Sequence, residues 1–147
     1  ICLPGAKSVK VLAAVRDLAK SASIKNLVLH YGTNNIPYQS PVTIAKEISD
    51  SLHRIQHELP TTAIHFSAIL PKIDSFRNRG INFINTYIFE LCQDIGVGFI
   101  EHTSFSQQGY LNKKLYSPTE WREGRSIHPS YDGALLLTTN YKLHLLK

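Results

Sequence analysis

The sequence of 147 residues contains no methionine, one tryptophan and only two cysteines, Cys2 and Cys92. Two thiols so far apart form neither a metal motif nor a disulfide framework, so a reducing, intracellular and cytoplasmic setting is expected. Cys92 falls on the apolar side of a predicted helix, where a buried free thiol is expected. No apolar run approaches the roughly 18 residues of a membrane-spanning helix. No secretory signal pattern is present, and neither an internal repeat nor a low-complexity tract is found.

The chain begins at Ile1 with strand-like residues, so an N-terminally truncated domain that has lost an upstream element is expected. Hydrophobic residues make up 43% and charged residues 18% of the chain, which is typical of a single globular domain over residues 1–147. The net charge of +5 allows an acidic partner such as nucleic acid. Because the basic residues are scattered, a solvated surface is the simpler interpretation, and the oligomeric state stays open.

Apolar segments of strand and helix type alternate along the chain. The predicted strands are residues 1–3, 27–31, 63–69 and 97–100. The predicted helices start near Ser8, at Ser40-Pro41, near Ile81 and after Ser130, with a polar loop over 74–80. Ser8 is the expected cap of the first helix. Residues 101–127 read as a long irregular segment. Leu135, Leu136, Tyr141 and Leu145 are the expected buried positions of the last helix. Such alternation predicts a three-layer α/β/α sandwich around a mostly parallel sheet.

One strand ends in an abrupt polar turn, Gly32-Thr33-Asn34-Asn35. In open α/β sheets, ligands bind beyond the carboxyl ends of the strands, so Asn34 and Asn35 are candidate functional residues. Two further features fall at comparable places, the turn Pro4-Gly5-Ala6 and the segment around His128-Pro129.

These motifs, in this order, resemble the SGNH (GDSL-type) hydrolases, in particular the esterase-like domain of non-LTR retrotransposon proteins. Three further motifs extend the resemblance over nearly the whole chain: Ser67-Ala68-Ile69-Leu70-Pro71, Ile81-Asn82-Phe83-Ile84-Asn85 and Gly98-Phe99-Ile100-Glu101. The resemblance implies an SGNH-like sandwich that lacks its first strand, and it implies acyl transfer with ester hydrolysis, without cofactor or metal. A small-molecule or lipid ester would be the substrate.

The same resemblance assigns roles to individual residues. The Gly5 backbone amide and the Asn34 side-chain amide correspond to oxyanion-hole donors, and His128 corresponds to the general base. The family's Gly-Asp-Ser nucleophile motif has no counterpart in these 147 residues. Arg125 occupies the position of the triad aspartate, and a cation there disfavours the imidazolium that forms during catalysis. The chain as it stands is therefore expected to be inactive, a pseudoenzyme.

Simpler interpretations accompany each assignment. His128 could merely precede the last helix, Asn34 could only shape a turn, and His30 could be a hydrogen-bonded histidine near the core. His53 and His57 have a metal-ligand spacing, but without a third ligand a solvated helix face is preferred. Five loop aromatics either line an acyl pocket or cover the core edge: Tyr38, Phe105, Tyr110, Tyr116 and Trp121. The alternative function is a non-catalytic, retroelement-derived accessory or binding domain, with nucleic acid as a weakly supported partner.

Overall fold

The computed structural model describes residues 6–125 and 128–147. Three parallel strands form its main sheet in the order β1-β2-β3, with β1 at Asn26–Leu29, β2 at Ala63–Ser67 and β3 at Gly98–Ile100. Leu29 pairs with Phe66, and Phe66 pairs with Phe99. Parallel neighbours require helical crossovers, and these are supplied by the helices α2 (Pro41–Glu58) and α3 (Ser75–Ile95). The predicted α/β architecture with a parallel sheet is confirmed.

Five helices accompany the sheet in the described chain. Their bounds are Ser8–Ser21 for α1, Pro41–Glu58 for α2, Ser75–Ile95 for α3, Pro118–Arg122 for α4 and Tyr131–Leu145 for α5. None of the described helices is long and apolar enough to cross a membrane.

The helix starts follow from local capping chemistry. Ser40 accepts a hydrogen bond from the Thr43 backbone amide at 3.2 Å and is followed by Pro41 at the first helical position, as predicted. Asp74 caps α3 in the same way by accepting from the Phe76 amide. The predicted polar loop over 74–80 is therefore wrong, because a strong cap starts the helix six residues earlier than its apolar stripe indicates.

The two faces of the sheet differ in chemistry. On one face, α1, α2 and α3 bury the main apolar core, which includes Ile48, Leu52, Phe66 and Ile88, each fully buried. On the other face lies α5, next to polar residues of β2 and of the segment after β3. The core stabilises one side of the sheet by apolar burial, whereas α5 combines packing of Leu137 and Tyr141 on a second apolar cluster with hydrogen bonds to the sheet.

Several other sequence expectations need correction. Ser8 is a buried first residue of α1 and not its cap, since Lys7 holds the N-cap position without a side-chain bond. Leu135 and Leu145 are exposed rather than buried, with 56% and 40% exposure. The strands end earlier than predicted, so His30 and Tyr31 follow β1.

The segment predicted as irregular is ordered over its described part. It contains a hairpin of β4 (Ser106–Gln107) and β5 (Tyr110–Leu111) and the helix α4. Its side chains build a second apolar cluster around Phe105, Leu115 and Tyr116.

β1 has a ladder partner on one side only among the described residues, so it forms an edge of the three-stranded sheet. The predicted strand at residues 1–3, which includes Cys2, lies outside the described residues. That this strand lies adjacent or near-adjacent to the described strands stays a prediction.

Candidate active site

Asn34 lies where the sequence places it, just beyond the carboxyl end of β1. It sits in a 3₁₀ turn of residues Thr33–Asn35 that follows Gly32, whose φ of +113° favours glycine. The Asn34 amide Nδ2 donates to the Ala6 carbonyl oxygen at 3.4 Å. This side chain therefore meets the segment that directly follows the Pro4-Gly5 turn. Gly5 itself lies outside the described residues, so its role as a donor stays a prediction.

Asn35 has a different task from its neighbour. It is 1% exposed, and its Nδ2 donates to Gln39 Oε1 at 2.6 Å and to Glu47 Oε2 at 3.3 Å. Gln39 Nε2 in turn donates to Glu47 Oε1 at 2.7 Å. This network fastens the loop to α2, which fixes the turn that presents Asn34.

His128 lies two residues before Ser130, the residue that caps α5. Its ring Nδ1 is 2.5 Å from Glu120 Oε1, and its backbone amide donates to Glu120 Oε2 at 2.9 Å. Both carboxylate oxygens thus hold the same residue. Glu120 is well covered, with 13% of its side chain exposed, whereas the His128 side chain is 72% exposed.

This arrangement fixes the chemistry of the imidazole. With Nδ1–H donated to the carboxylate, Nε2 is left as the acceptor and faces outward as a potential base. The paired carboxylate also stabilises the imidazolium that forms when Nε2 takes a proton. His128 and Glu120 together have the make-up of a general base with its orienting acid.

Arg125 does not stand in for the acid. Its guanidinium pairs with Glu123, and its backbone amide donates to the Glu120 carbonyl at 2.7 Å. The carboxylate on His128 instead comes from α4, eight residues before the histidine. The expectation that a cation at Arg125 leaves His128 without an acid is therefore corrected. Glu120 is missed from the sequence because it lies in a segment predicted to be irregular. The one signal for it is the helix start at Ser117-Pro118, which places Glu120 in a helical turn.

Contacts tie the His128 segment to the loop after β2. The Tyr116 hydroxyl donates to the Pro71 carbonyl at 2.7 Å, and the Ser117 amide donates to the His128 carbonyl at 3.0 Å. Lys72 in the same loop is only 6% exposed. Burial and Arg77 lower the pKa of its ammonium, while the Glu120 carboxylate counteracts them. Glu120 and His128 are therefore held beside the loop that follows β2, and that they share one site with Asn34 stays a prediction.

The remaining candidates divide as follows. Phe105 and Tyr116 are buried and Trp121 packs against their cluster, so these aromatics cover the core edge. Tyr38 and Tyr110 are exposed, with 75% and 80% exposure. No group of three or more potential metal ligands is found within residues 6–125 and 128–147.

Neither a search of protein-family models nor a search of curated proteins finds a match for this chain. Solved structures do match. A protein from Streptococcus pneumoniae named for platelet activating factor has a TM-score of 0.78 and 19% identity, over 96% of this chain and 69% of its own. A GDSL-like lipase from Bacteroides thetaiotaomicron has a TM-score of 0.72 and 15% identity, over 95% of this chain and 70% of its own.

A third similar structure is the esterase domain of the ORF1 protein of the zebrafish retrotransposon ZfL2-1. It has a TM-score of 0.61 and 22% identity, and the match covers 100% of this chain and 87% of that domain. The fold of the chain is thus that of the SGNH and GDSL-type hydrolases, as the sequence motifs predict.

Proposed function

We propose that this chain carries the base and oxyanion half of an SGNH-type acyl-transfer site and hydrolyses esters only when a serine nucleophile is supplied. The observation that carries the proposal is the double hydrogen bond from His128 to Glu120. A carboxylate held in this way orients the imidazole and leaves Nε2 free to act. Asn34 supplies the amide donor in the neighbouring loop, and the Gly5 amide is the expected second donor.

The proposed reaction is ester hydrolysis through an acyl-enzyme. A serine oxygen attacks the ester carbonyl carbon while its proton passes to His128 Nε2. The carbonyl oxygen becomes negative and accepts hydrogen bonds from Asn34 and Gly5. The bond to the alcohol oxygen then breaks, and that oxygen takes the proton from His128. Water then attacks the carbonyl carbon of the acyl-serine and gives its proton to His128. His128 returns the proton to the serine oxygen as the acid product leaves.

The 147 residues by themselves are expected to be inactive, because no Gly-Asp-Ser motif is present to provide the nucleophile. Loss of a nucleophile typically costs about 10⁶ in turnover. The test is hydrolysis of p-nitrophenyl acetate by the chain alone and by a version extended at its N-terminus with a strand that ends in Gly-Asp-Ser. Only the extended version should turn over substrate.

Three variants of the extended version separate the roles. His128→Ala should abolish turnover, and Glu120→Gln should lower it by about 10²–10⁴ because the imidazolium loses its acid. Glu123→Gln is the matched control, since that carboxylate pairs with Arg125 and not with His128; it should leave the rate within about twofold. Equal effects of Glu120→Gln and Glu123→Gln would refute the assignment.

The alternative is a non-catalytic accessory domain, in which the net charge of +5 serves a nucleic-acid partner. It gains support if the extended version stays folded but inactive and if the unextended chain binds RNA with a strong salt dependence.

A further inference from the structure

A hydrogen-bond cluster around a buried serine and a buried histidine lies between the sheet and α5 and has no part in the site described above. Its centre is Ser67, the last residue of β2, which is fully buried. Ser67 Oγ is 2.7 Å from His30 Nδ1, 2.7 Å from His102 Nε2 and 3.2 Å from the Tyr141 hydroxyl. Asn140 Nδ2 lies 3.0 Å from His102 Nδ1. We refer to these five residues as the Ser67 cluster.

The cluster connects three parallel strands to one helix. His30 follows β1, Ser67 ends β2 and His102 follows β3, whereas Asn140 and Tyr141 belong to α5. The hydrogen bonds run in one direction when both rings are neutral. Asn140 donates to His102 Nδ1, His102 Nε2–H donates to Ser67 Oγ, and the Ser67 hydroxyl donates to His30 Nδ1.

These contacts matter because α5 buries little apolar surface. Only Gly133 and Leu137 are buried along it, and the exposed leucines include Leu143 at 57%. A second imidazole contact holds its last turn, with His144 Nε2 lying 3.1 Å from His65 Nδ1. Beside the packing of Tyr141 against the second apolar cluster, the C-terminal half of α5 is thus attached to the sheet through hydrogen bonds of neutral histidines.

The surroundings of His102 do not accommodate a positive charge. The ring is 7% exposed and lies edge-on to the rings of Phe105 and Tyr141, with the His30 ring centroid 6.2 Å away. No carboxylate of the described residues forms a hydrogen bond or ion pair with either imidazole, and Glu101, next to His102 in the sequence, is exposed.

The other titratable groups near the interface are His65 on the sheet, Lys142 and His144 on α5, and Lys147 just beyond α5. Glu101 is the acid of this region and lines a groove with Asn140, His144 and Lys147, but it is exposed and forms no hydrogen bond or ion pair with His102. A protonated His102 ring therefore has no paired counter-charge, and burial together with the positive charge of Lys147 lowers the pKa of His144.

We propose that the Ser67 cluster is an acid-sensitive latch, closed while its imidazoles are neutral and opened when one of them takes a proton, which releases the C-terminal half of α5 from the sheet. The latch also joins the two segments that carry candidate site residues. His30 lies four residues before Asn34, and α5 starts three residues after His128. Opening would therefore loosen both segments.

The direction and the size of the pH effect on opening follow from the difference in histidine pKa between the closed and open states. Burial, and secondarily His30, lowers the pKa of His102 to about 4, and burial also lowers the pKa of His30. His102 contributes the larger part of the pH effect, because it is buried whereas His30 is exposed. In the open state the ring returns to its ordinary pKa near 6.5. The stabilisation of the closed state by the neutral ring is then fully present above pH 6.5 and decreases as the pH falls towards 4. For His102 alone, the opening constant should rise about twentyfold from pH 7 to pH 5.

The test is hydrogen–deuterium exchange at pH 7 and pH 5, corrected for intrinsic exchange rates and measured on the 147-residue protein. Peptides that cover residues 138–145 should show the rise of about twentyfold in opening. Peptides that cover residues 44–55 of α2 should stay protected, which separates local opening from global unfolding.

Variants sharpen the test. His102→Gln keeps hydrogen-bonding groups but cannot take a proton, so it should reduce the pH-dependent rise at least about fivefold. His53→Gln, on the exposed face of α2, is the matched control and should retain the full rise. Unchanged protection of residues 138–145 in the wild type, or an unchanged rise in His102→Gln, would overturn the proposal.

If His102→Gln does not fold, an NMR titration of the wild-type ring decides. A His102 ring that titrates well below pH 6 while the signals of residues 138–145 change with it supports the latch. A ring that titrates near pH 6.5 overturns it.

Discussion

The substitution Asn85→Ala tests how β2 is continued beyond its last paired residue. Asn85 in α3 accepts a hydrogen bond from the Ile69 amide at 2.9 Å and donates to the Ile69 carbonyl at 2.9 Å. One side-chain amide thus takes the place of a neighbouring strand. Ile69 is 2% exposed, so both of its backbone groups lose their partners in the variant. An orphaned buried group costs about 1–3 kcal/mol, so the free energy of unfolding should fall by about 2–5 kcal/mol.

The measurement is urea unfolding followed by far-UV circular dichroism, together with the fluorescence of Trp121, the only tryptophan. The urea concentration at the unfolding midpoint should drop, whereas the slope of the unfolding free energy against urea concentration should stay unchanged. Asn82→Ala is the matched control, because Asn82 lies on the exposed side of the same helix; it should be neutral or stabilising by a few tenths of a kcal/mol, about the difference in helix propensity. A loss below about 1 kcal/mol in Asn85→Ala would show that water satisfies Ile69 and would refute the argument.

Three further predictions concern packing and thiol chemistry. Gly133→Ala should cost about 3 kcal/mol by thermal or urea unfolding, because an added Cβ would lie 2.0 Å from the Leu115 carbonyl oxygen and force α5 outward. Gly32→Ala should cost about 1–3 kcal/mol through its φ of +113° and the 2.7 Å approach of its Cβ to Ile69 Cδ1; Gly96→Ala, with positive φ and open space, should cost less. Cys92 should react with a thiol reagent only on unfolding, since burial raises its pKa to about 12 and leaves it 1% exposed.

The sequence predicts the architecture well where local signals agree with burial. The Ser40-Pro41 start of α2 and the apolar strands that follow α2 and α3 appear in the structure as expected, because capping and periodicity act within a few residues. The turn after β1 is also where it was predicted, since Gly32 alone indicates a backbone that leaves the strand. These features need no knowledge of the rest of the chain.

The failures arise where a residue's partner is distant in sequence. Helical spacing predicts that Leu135 is buried, yet 56% of it is exposed. The face of α5 that meets the sheet is set by Tyr141, which binds Ser67 across more than seventy residues, and by Asn140, which binds His102. Periodicity of apolar residues cannot report a helix that docks by polar contacts.

Glu120 shows the same limit at the candidate site. Counting back from His128 leads to Arg125, because the expected acid lies three residues before the base in the family pattern. The structure places a helical turn between Ser117 and Glu123, and that turn brings the Glu120 carboxylate onto both the ring and the backbone of His128. Arg125 is at the same time neutralised by Glu123. What the chemistry requires is a carboxylate on Nδ1 and not a residue at a fixed spacing, so an acid on a neighbouring helix meets the requirement as well as one on the same loop.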